Sequence, residues 1–251
     1  MTADLIMVYF ISDSHIGSLM NANSTAQQRR IITFLDTIRC DATALFLMGD
    51  IFDFWFEYRY SIPKGYDRIL GKLAELTDSG IEVHFFTGNH DMWTFGYLEK
   101  EIGLKVHHHE EAMTICGKHC FLAHGDTLCT DNKKFMFLLR VFKSPINQWL
   151  FRNIMPHDLG LRLAFGWALN SRKKHLNDQP RYKGENNETL VCWAKEHEKS
   201  EHFDYYIFGH RHIELDLLLS TNARVIILGD CINLFTYGKM NDNGNFVLDN
   251  F

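Results

Sequence analysis

Residues 85–93 read FFTGNHDMW. The apolar run that begins at Ile81 stops at Gly88, and an amide, an imidazole and a carboxylate follow as Asn89, His90 and Asp91. The same transition recurs along the chain. LIMVYFISD (5–13), ALFLMGD (44–50), HCFLAHGD (119–126), DYYIFGHRH (204–212) and ARVIILGD (223–230) are all short apolar runs rich in aromatic and β-branched residues. Runs of this kind predict strands buried on both faces. Their carboxyl ends carry Asp13-Ser14-His15, Gly49-Asp50, Gly88-Asn89-His90-Asp91, His124-Gly125-Asp126 and Gly209-His210-Arg211-His212.

Helical periodicity lies between the runs. Ser24–Cys40 places Ile31, Ile32, Leu35 and Ile38 on one face, and Tyr66–Ser79 does the same with Ile69, Leu70, Leu73 and Leu76 before Gly80. Strand–helix alternation predicts an α/β first half, and the closer spacing of the later strands predicts a mixed sheet. From about Thr127 to Glu201 the pattern is helical only, in FMFLLRVF, INQWLF and LGLRLAFGWAL, punctuated by Pro145 and Pro156. The expected organisation is one domain over 1–251 with a helical cap insertion at about 127–201.

With 46% hydrophobic and 14% aromatic residues, the 251-residue chain has ample material for a core. A net charge of −5 argues against a general nucleic-acid binder. Cys40, Cys116, Cys120, Cys129, Cys192 and Cys231 include no C-x-x-C pair. Most sit in apolar runs, so buried free thiols in a reducing, cytoplasmic setting are expected. The apolar start is too short for a signal sequence or membrane span.

In an open α/β sheet the strands' carboxyl ends form the ligand crevice. Asp13, His15, Asp50, Asn89, His124, His210 and His212 are therefore expected to converge. Singly, a D-x-H, G-D or H-x-H is more often a turn, and Gly49, Gly88, Gly125 and Gly209 read alone as turn glycines. Five such endings in series are a different matter. His, Asp and Asn donors without a cysteine cluster suit Mn(II), Fe(II) or Zn(II). Seven donors exceed one tetrahedral ion but suit two ions sharing a carboxylate, an arrangement that clamps a phosphoryl group.

DSHIG, GDIFDFW, TGNHD, AHGD and GHRH resemble the five motifs of the calcineurin-like metallophosphoesterases. The resemblance implies a four-layer α/β/β/α sandwich with a dinuclear site. Asp13, His15 and His212 would hold one ion, Asn89, His124 and His210 the other, and Asp50 would bridge. His90 would stabilise charge or protonate the leaving group, with Asp91 orienting its ring.

HGDTLCTDNKKFMFLLRVFKSP, running on to LNSRKKH, is similar to the bacterial UDP-2,3-diacylglucosamine diphosphatases of lipid A synthesis. That similarity implies a Mn(II) enzyme that cleaves an acylated UDP-sugar to UMP and the sugar 1-phosphate. It further implies substrate contacts from Asn89, His90, Asp131, Asn132, Ser171, Arg172 and His210, and a peripheral position on the cytoplasmic side of the inner membrane. The residues of the cap agree: nine Lys and Arg between Asn132 and Lys174 face one acid, Asp158, and interleave with Phe, Trp and Leu. A basic, apolar helical surface suits an anionic lipid; an ordinary hairpin with a solvated face is the plainer reading. The chain departs from the diphosphatase pattern at His90, where the best-known members carry Arg, and at Asn132, where they carry Asp; His175 and Asp178 also match poorly. A metallophosphoesterase acting on another nucleotide or sugar-phosphate ester, and a non-catalytic scaffold of the same fold, therefore stay open.

Asp53 reads as a partner of the site or a helix-starting acid. His107-His108-His109 reads as a solvated strand edge, since adjacent residues cannot share a face.

Overall fold

The computed structural model describes residues 7–17, 24–128, 133–156, 158–163, 166 and 180–251. Two sheets form its centre. The first has the order β11-β10-β1-β2-β3-β4, built from β1 (Met7–Ile11), β2 (Ala42–Leu47), β3 (Glu82–Phe86), β4 (Lys105–His107), β10 (Thr236–Asn241) and β11 (Phe246–Asn250). The second has the order β5-β6-β7-β9-β8, from β5 (Glu111–Ile115), β6 (Lys118–Ala123), β7 (Tyr205–Phe208), β8 (Glu214–Leu218) and β9 (Arg224–Leu228). β1 to β4 run parallel, as do β6, β7 and β9, while β5, β8, β10 and β11 pair antiparallel.

Period-two alternation explains the layering. In β1, Val8 and Phe10 face the space between the sheets, whereas Tyr9 and Ile11 face outward. Phe46 and Met48, Cys120 and Leu122, Tyr205 and Ile207, and Ile226 and Leu228 fill the same inner layer. On the outer face of the first sheet, Leu45, Leu47, Val83 and Phe85 meet the apolar stripes of α1 (Ser24–Ile38) and α2 (Asp67–Asp78). On the outer face of the second, Phe121, Tyr206, Phe208 and Ile227 meet Leu190, Val191 and Ala194 of the helix Thr189–His197. Each fully buried apolar side chain contributes about 1.5–3 kcal/mol, so both faces of every central strand are stabilising. The result is the α/β/β/α order of layers.

The six apolar runs all fall on strands, but three belong to each sheet. Five strands (β4, β5, β8, β10 and β11) are not apolar runs at all. Between Ala123 and Tyr205 the described residues contain no strand. They form α4 (Lys133–Lys143), α5 (Pro145–Asn153) and a helical stretch at 158–163, besides the helix Thr189–His197, which is α6 after the short α3 (Tyr97–Lys100). Phe151 and Leu161 of this region pack on Phe54, Phe56, Tyr58, Trp93 and Phe95. Trp93 Nε1 donates to the Phe142 carbonyl at 3.0 Å. The cap therefore rests on the residues that directly follow the G-D and G-N-H-D motifs.

The cysteine expectation needs correction. Of the five described, only Cys120 and Cys231 are buried; Cys40 and Cys192 are exposed and Cys116 is intermediate. Cys120 lies within β6 and Cys231 follows β9, whereas Cys40 and Cys192 lie at a helix end and on a helix's outer side. Cys129 lies outside the described residues. The triple histidine also divides. His108 and His109 are exposed, but His107 stacks on Phe86 at 4.5 Å, and its Nε2 lies 3.0 Å from His84 Nδ1.

Candidate active site

The loops after the parallel strands bring the motif side chains together at one edge. Asp13, His15 and His212 form one cluster, and Asp50, His124 and His210 a second; in each, one ligand atom per residue lies within 4.8 Å of the others. A third cluster joins His15 to Asp53 and His90. Backbone bonds lock the loops to one another: Asp13 N–H donates to the Gly49 carbonyl at 3.1 Å, and His15 N–H to that of Asp50 at 2.9 Å.

Five of the seven expected ligands have a left-handed backbone, with φ of 52° at Asp13, 42° at His15, 52° at Asp50, 66° at His210 and 50° at His212. Asp and His visit this region more readily than bulky residues, yet each instance costs about 1–3 kcal/mol unless its surroundings hold it. The conformation turns each side chain back over the end of the sheet. Two glycines permit the resulting close approach. A Cβ on Gly88 would sit 2.2 Å from Asp50 Oδ1, and one on Gly209 would sit 2.0 Å from Ser12 Oγ. They are contact glycines at ordinary φ, so the simple turn reading does not hold for them.

The two carboxylates divide their oxygens in the same way. Asp13 Oδ2 accepts from Ser12 Oγ at 2.6 Å and from His210 N–H at 2.8 Å, while Oδ1 lies 3.3 Å from His212 Nε2 and 3.9 Å from His15 Nε2. Asp50 Oδ1 accepts from His90 N–H at 2.9 Å, while Oδ2 lies 3.4 Å from His124 Nε2 and 3.7 Å from His15 Nε2. One oxygen fixes each loop and the other faces the imidazoles. Asp50 Oδ2 thus lies between the two clusters.

Asp13 Oδ1, Asn89 Oδ1 and His124 Nε2 are buried and make no hydrogen bond. Buried polar atoms without partners are unfavourable and rare. Converging oxygen and imidazole donors of this kind are what a divalent cation requires, so the residues fit a metal centre. The tautomers agree with this. His124 Nδ1 donates to the Met48 carbonyl at 2.9 Å, which leaves Nε2 to face Asp50, a common arrangement of ligating histidines.

Burial works against the charge on Asp50, but His124, His90 and His15 outweigh it and hold the carboxylate well below its usual range. Burial likewise opposes a charged His124, yet Asp50 and Asp13 raise it well above an ordinary histidine. His210 is pushed down to about 3 by burial and the neighbouring His124, which keeps it neutral. A metal ion must therefore compete with a proton for His124. Since a raised histidine pKa means the proton competes at higher pH, metal affinity is expected to fall as pH falls through it. The loss should be about tenfold per pH unit for each proton displaced, measurable by metal titration calorimetry between neutral and mildly acidic pH.

Asp91 does not orient His90, contrary to the expectation for the G-N-H-D pair. Its Oδ1 accepts from Gly88 N–H at 2.7 Å and Asp50 N–H at 3.3 Å, and its Oδ2 from Ile51 N–H at 2.8 Å and Phe52 N–H at 3.3 Å. It clamps the Asp50 loop to the Asn89 loop. The His90 ring is held instead by Asp53, whose carbonyl accepts from Nδ1 at 2.8 Å. The Asp53 carboxylate lies 3.5 Å from His15 Nδ1 and 3.9 Å from His90 Nδ1, so this acid supports two site imidazoles. Asp131, Asn132, Ser171 and Arg172 lie outside the described residues.

Two supporting acids escape motif reading. Asp230 ends β9 in a bare Gly-Asp; its Oδ2 lies 3.4 Å from His212 Nδ1, and its Oδ1 accepts three backbone N–H groups from residues 232–234. Replacing Asp230 with asparagine is expected to weaken metal binding about 10–100-fold, as loss of a ligand-orienting carboxylate does, while the fold persists. Metal titration with circular dichroism checks this. Glu188, fully buried at the start of α6, takes Arg211 through Nε at 2.6 Å and Nη2 at 3.2 Å, and Arg211 lies between His210 and His212. Six strand-like runs had ended in Gly-Asp or its equivalents, and Asp230 could have been found by that repetition.

Known proteins give the same picture. A profile described as calcineurin-like phosphoesterase matches residues 6–214. A Porphyromonas gingivalis protein named UDP-2,3-diacylglucosamine hydrolase is 42% identical over 242 residues, covering 92% of each chain. An Edwardsiella ictaluri protein of that name is 29% identical, over 81% of this chain and 74% of its own. A third, from Actinobacillus succinogenes, is 27% identical over 88% and 90%. Matched over most of its length and bearing a donor set suited to divalent ions, the chain belongs to the calcineurin-like phosphoesterase family and is a metal-dependent hydrolase of phosphoric esters.

Proposed function

We propose that this chain hydrolyses the pyrophosphate of UDP-2,3-diacylglucosamine, giving UMP and 2,3-diacylglucosamine 1-phosphate, with two Mn(II) ions as cofactors. The observation that carries the reading is the 42% identity along 92% of both chains to a protein bearing that hydrolase name. We assign Asp13, His15 and His212 to one ion, Asn89, His124 and His210 to the other, and Asp50 to both. When bound, such ions polarise the phosphoryl oxygens and ease the deprotonation of a water.

The protein's own groups perform the remaining work. His124 and His210 are presented neutral or made so on loading, and Asp91 and Asp230 hold the loops in register without touching substrate. His90 has Nδ1 committed to the Asp53 carbonyl. Any proton it exchanges with the phosphate or the leaving oxygen therefore passes through Nε2, and the same atom would donate to developing negative charge. Asn89, next to His90 in the chain, and His210, clustered with Asp50 and His124, are proposed to contact the same phosphate, and Asp131, Asn132, Ser171 and Arg172 are proposed for the sugar and acyl side.

The cap supports an acylated substrate. Its helices expose Met136, Phe137, Ile146, Trp149, Leu150, Ile154, Leu159 and Leu163. Exposed apolar side chains on these helices suit lipid contact. Among the described residues no helix is long and apolar enough to cross a membrane. Peripheral contact with the cytoplasmic side of the inner membrane is therefore the proposed placement. Paired assays on UDP-2,3-diacylglucosamine and on unacylated UDP-N-acetylglucosamine test the substrate. Marked preference for the acylated compound is expected; equal rates, or activity on the soluble ester alone, would favour a general nucleotide or sugar-phosphate hydrolase.

A further inference from the structure

A cleft of about 430 Å³ opens on the cap, lined by Arg59, Phe95, Gln148, Trp149, Arg152 and Asn153 among others, and none of the clustered site residues is among its described lining. Among the described residues that line it there is no carboxylate. The Arg152 guanidinium stands over the Phe95 ring at 5.0 Å, and its Nε is buried and makes no hydrogen bond. Arg59 stands over the Tyr60 ring at 5.1 Å. The two amides are already engaged, Gln148 Nε2 with the Phe142 carbonyl at 3.1 Å and Asn153 Nδ2 with that of Trp149 at 2.8 Å. Each amide has one N–H committed, the guanidiniums are the cleft's cationic donors, and a buried donor without an acceptor, such as Arg152 Nε, is costly. An oxyanion with several acceptor oxygens would satisfy them, since guanidinium geometry matches phosphate.

The rim says which phosphate. Trp149, in the lining, is 59% exposed, and Ile146 and Tyr60, next in sequence to the lining residues Pro145 and Arg59, are 71% and 85% exposed. Apolar and aromatic groups left in water around a pair of arginines have the composition of a membrane interface, where indole and phenol rings sit at headgroup depth. A free anion would have no use for that rim. We propose that the cleft takes the phosphate of an anionic glycerophospholipid and so sets the orientation of the cap on the bilayer. The inference rests on the reading of the cap as membrane-facing in the proposed function, and it adds a lipid site separate from that of the reacting substrate.

The test is co-sedimentation of the full chain with phosphatidylcholine vesicles with and without phosphatidylglycerol. Wild type should bind the phosphatidylglycerol vesicles more tightly. The double variant Arg59→Gln/Arg152→Gln should lose about fivefold per guanidinium, whereas Lys134→Gln/Arg162→Gln, removing the same charge from exposed cap positions outside the cleft, should lose less. If the first pair lowers the melting midpoint, exposed Arg59→Gln alone should still show its fivefold loss. Equal losses from both pairs would mean diffuse attraction and overturn the site, as would no loss from Arg59→Gln. Quenching of tryptophan emission by inorganic phosphate, with vesicle binding unchanged in the double variant, would make a soluble anion the ligand and overturn the lipid. The two readings fail separately: cleft-dependent vesicle binding with no UMP release would sink the substrate assignment, and UMP release with cleft-independent binding would sink the lipid site.

Discussion

Asp50→Asn is expected to reduce turnover at least about a thousandfold, beyond the 10–100-fold typical of losing a residue that only orients a ligand. The reason lies in its two oxygens. Oδ1 accepts from His90 N–H, and an asparagine oxygen can keep that bond. Oδ2 is the atom between His124 Nε2 and His15 Nε2, and an uncharged amide there cannot serve two cations. The variant should therefore remain folded, bind less metal by elemental analysis, and hydrolyse neither the acylated UDP-sugar nor a soluble diester. Full metal content with full turnover would remove Asp50 from the shared position. Alanine at the same site would add a loop defect by deleting the acceptor for His90, so asparagine is the cleaner substitution.

Glu188→Ala should give the largest loss of stability outside the hydrophobic core, about 2–4 kcal/mol. Removing one partner of a buried pair costs about 3–5 kcal/mol because the other charge is left uncompensated. The lower figure reflects Arg211, whose side chain is 20% exposed and can recover some hydration. In a chain of this size such a loss lowers the melting midpoint by roughly 5–15 °C. Arg211 sits between His210 and His212, so the same change should also weaken metal binding, and excess metal should restore part of the midpoint by mass action. Unchanged melting and metal affinity would show that the ion pair does not hold the G-H-R-H loop.

Much of the candidate site was legible because the side chains that cluster there lie just beyond the ends of their strands, so local sequence carries them. Side chains that act across the fold left no such mark. Glu188 meets Arg211 only when α6 packs against the β7 loop. Asp91 was read with its neighbour His90, yet the turn at Gly88 aims its carboxylate at the amides of the Asp50 loop. Asp53 does from a distance what Asp91 was expected to do. The fold shows the same division. Strands buried on both faces stood out as apolar runs, but nothing in a run says which sheet it joins, since Phe10 and Leu122 fill one shared layer from opposite sides. The edge strand β8 alternates exposed and intermediate positions and β10 alternates buried and intermediate ones, so neither offers a continuous run. The cap's helical character was readable from periodicity. Its seat on Phe54, Phe56 and Trp93 was not, because those aromatics belong to motif flanks that look catalytic in sequence.

The most direct measurement is the release of UMP from UDP-2,3-diacylglucosamine by purified chain, first stripped of metal and then supplied with Mn(II). Turnover that is absent in the stripped protein, returns with Mn(II) and is lost in Asp50→Asn is the expected result. No UMP with Mn(II) or any other divalent ion, from protein shown to be folded, would contradict it.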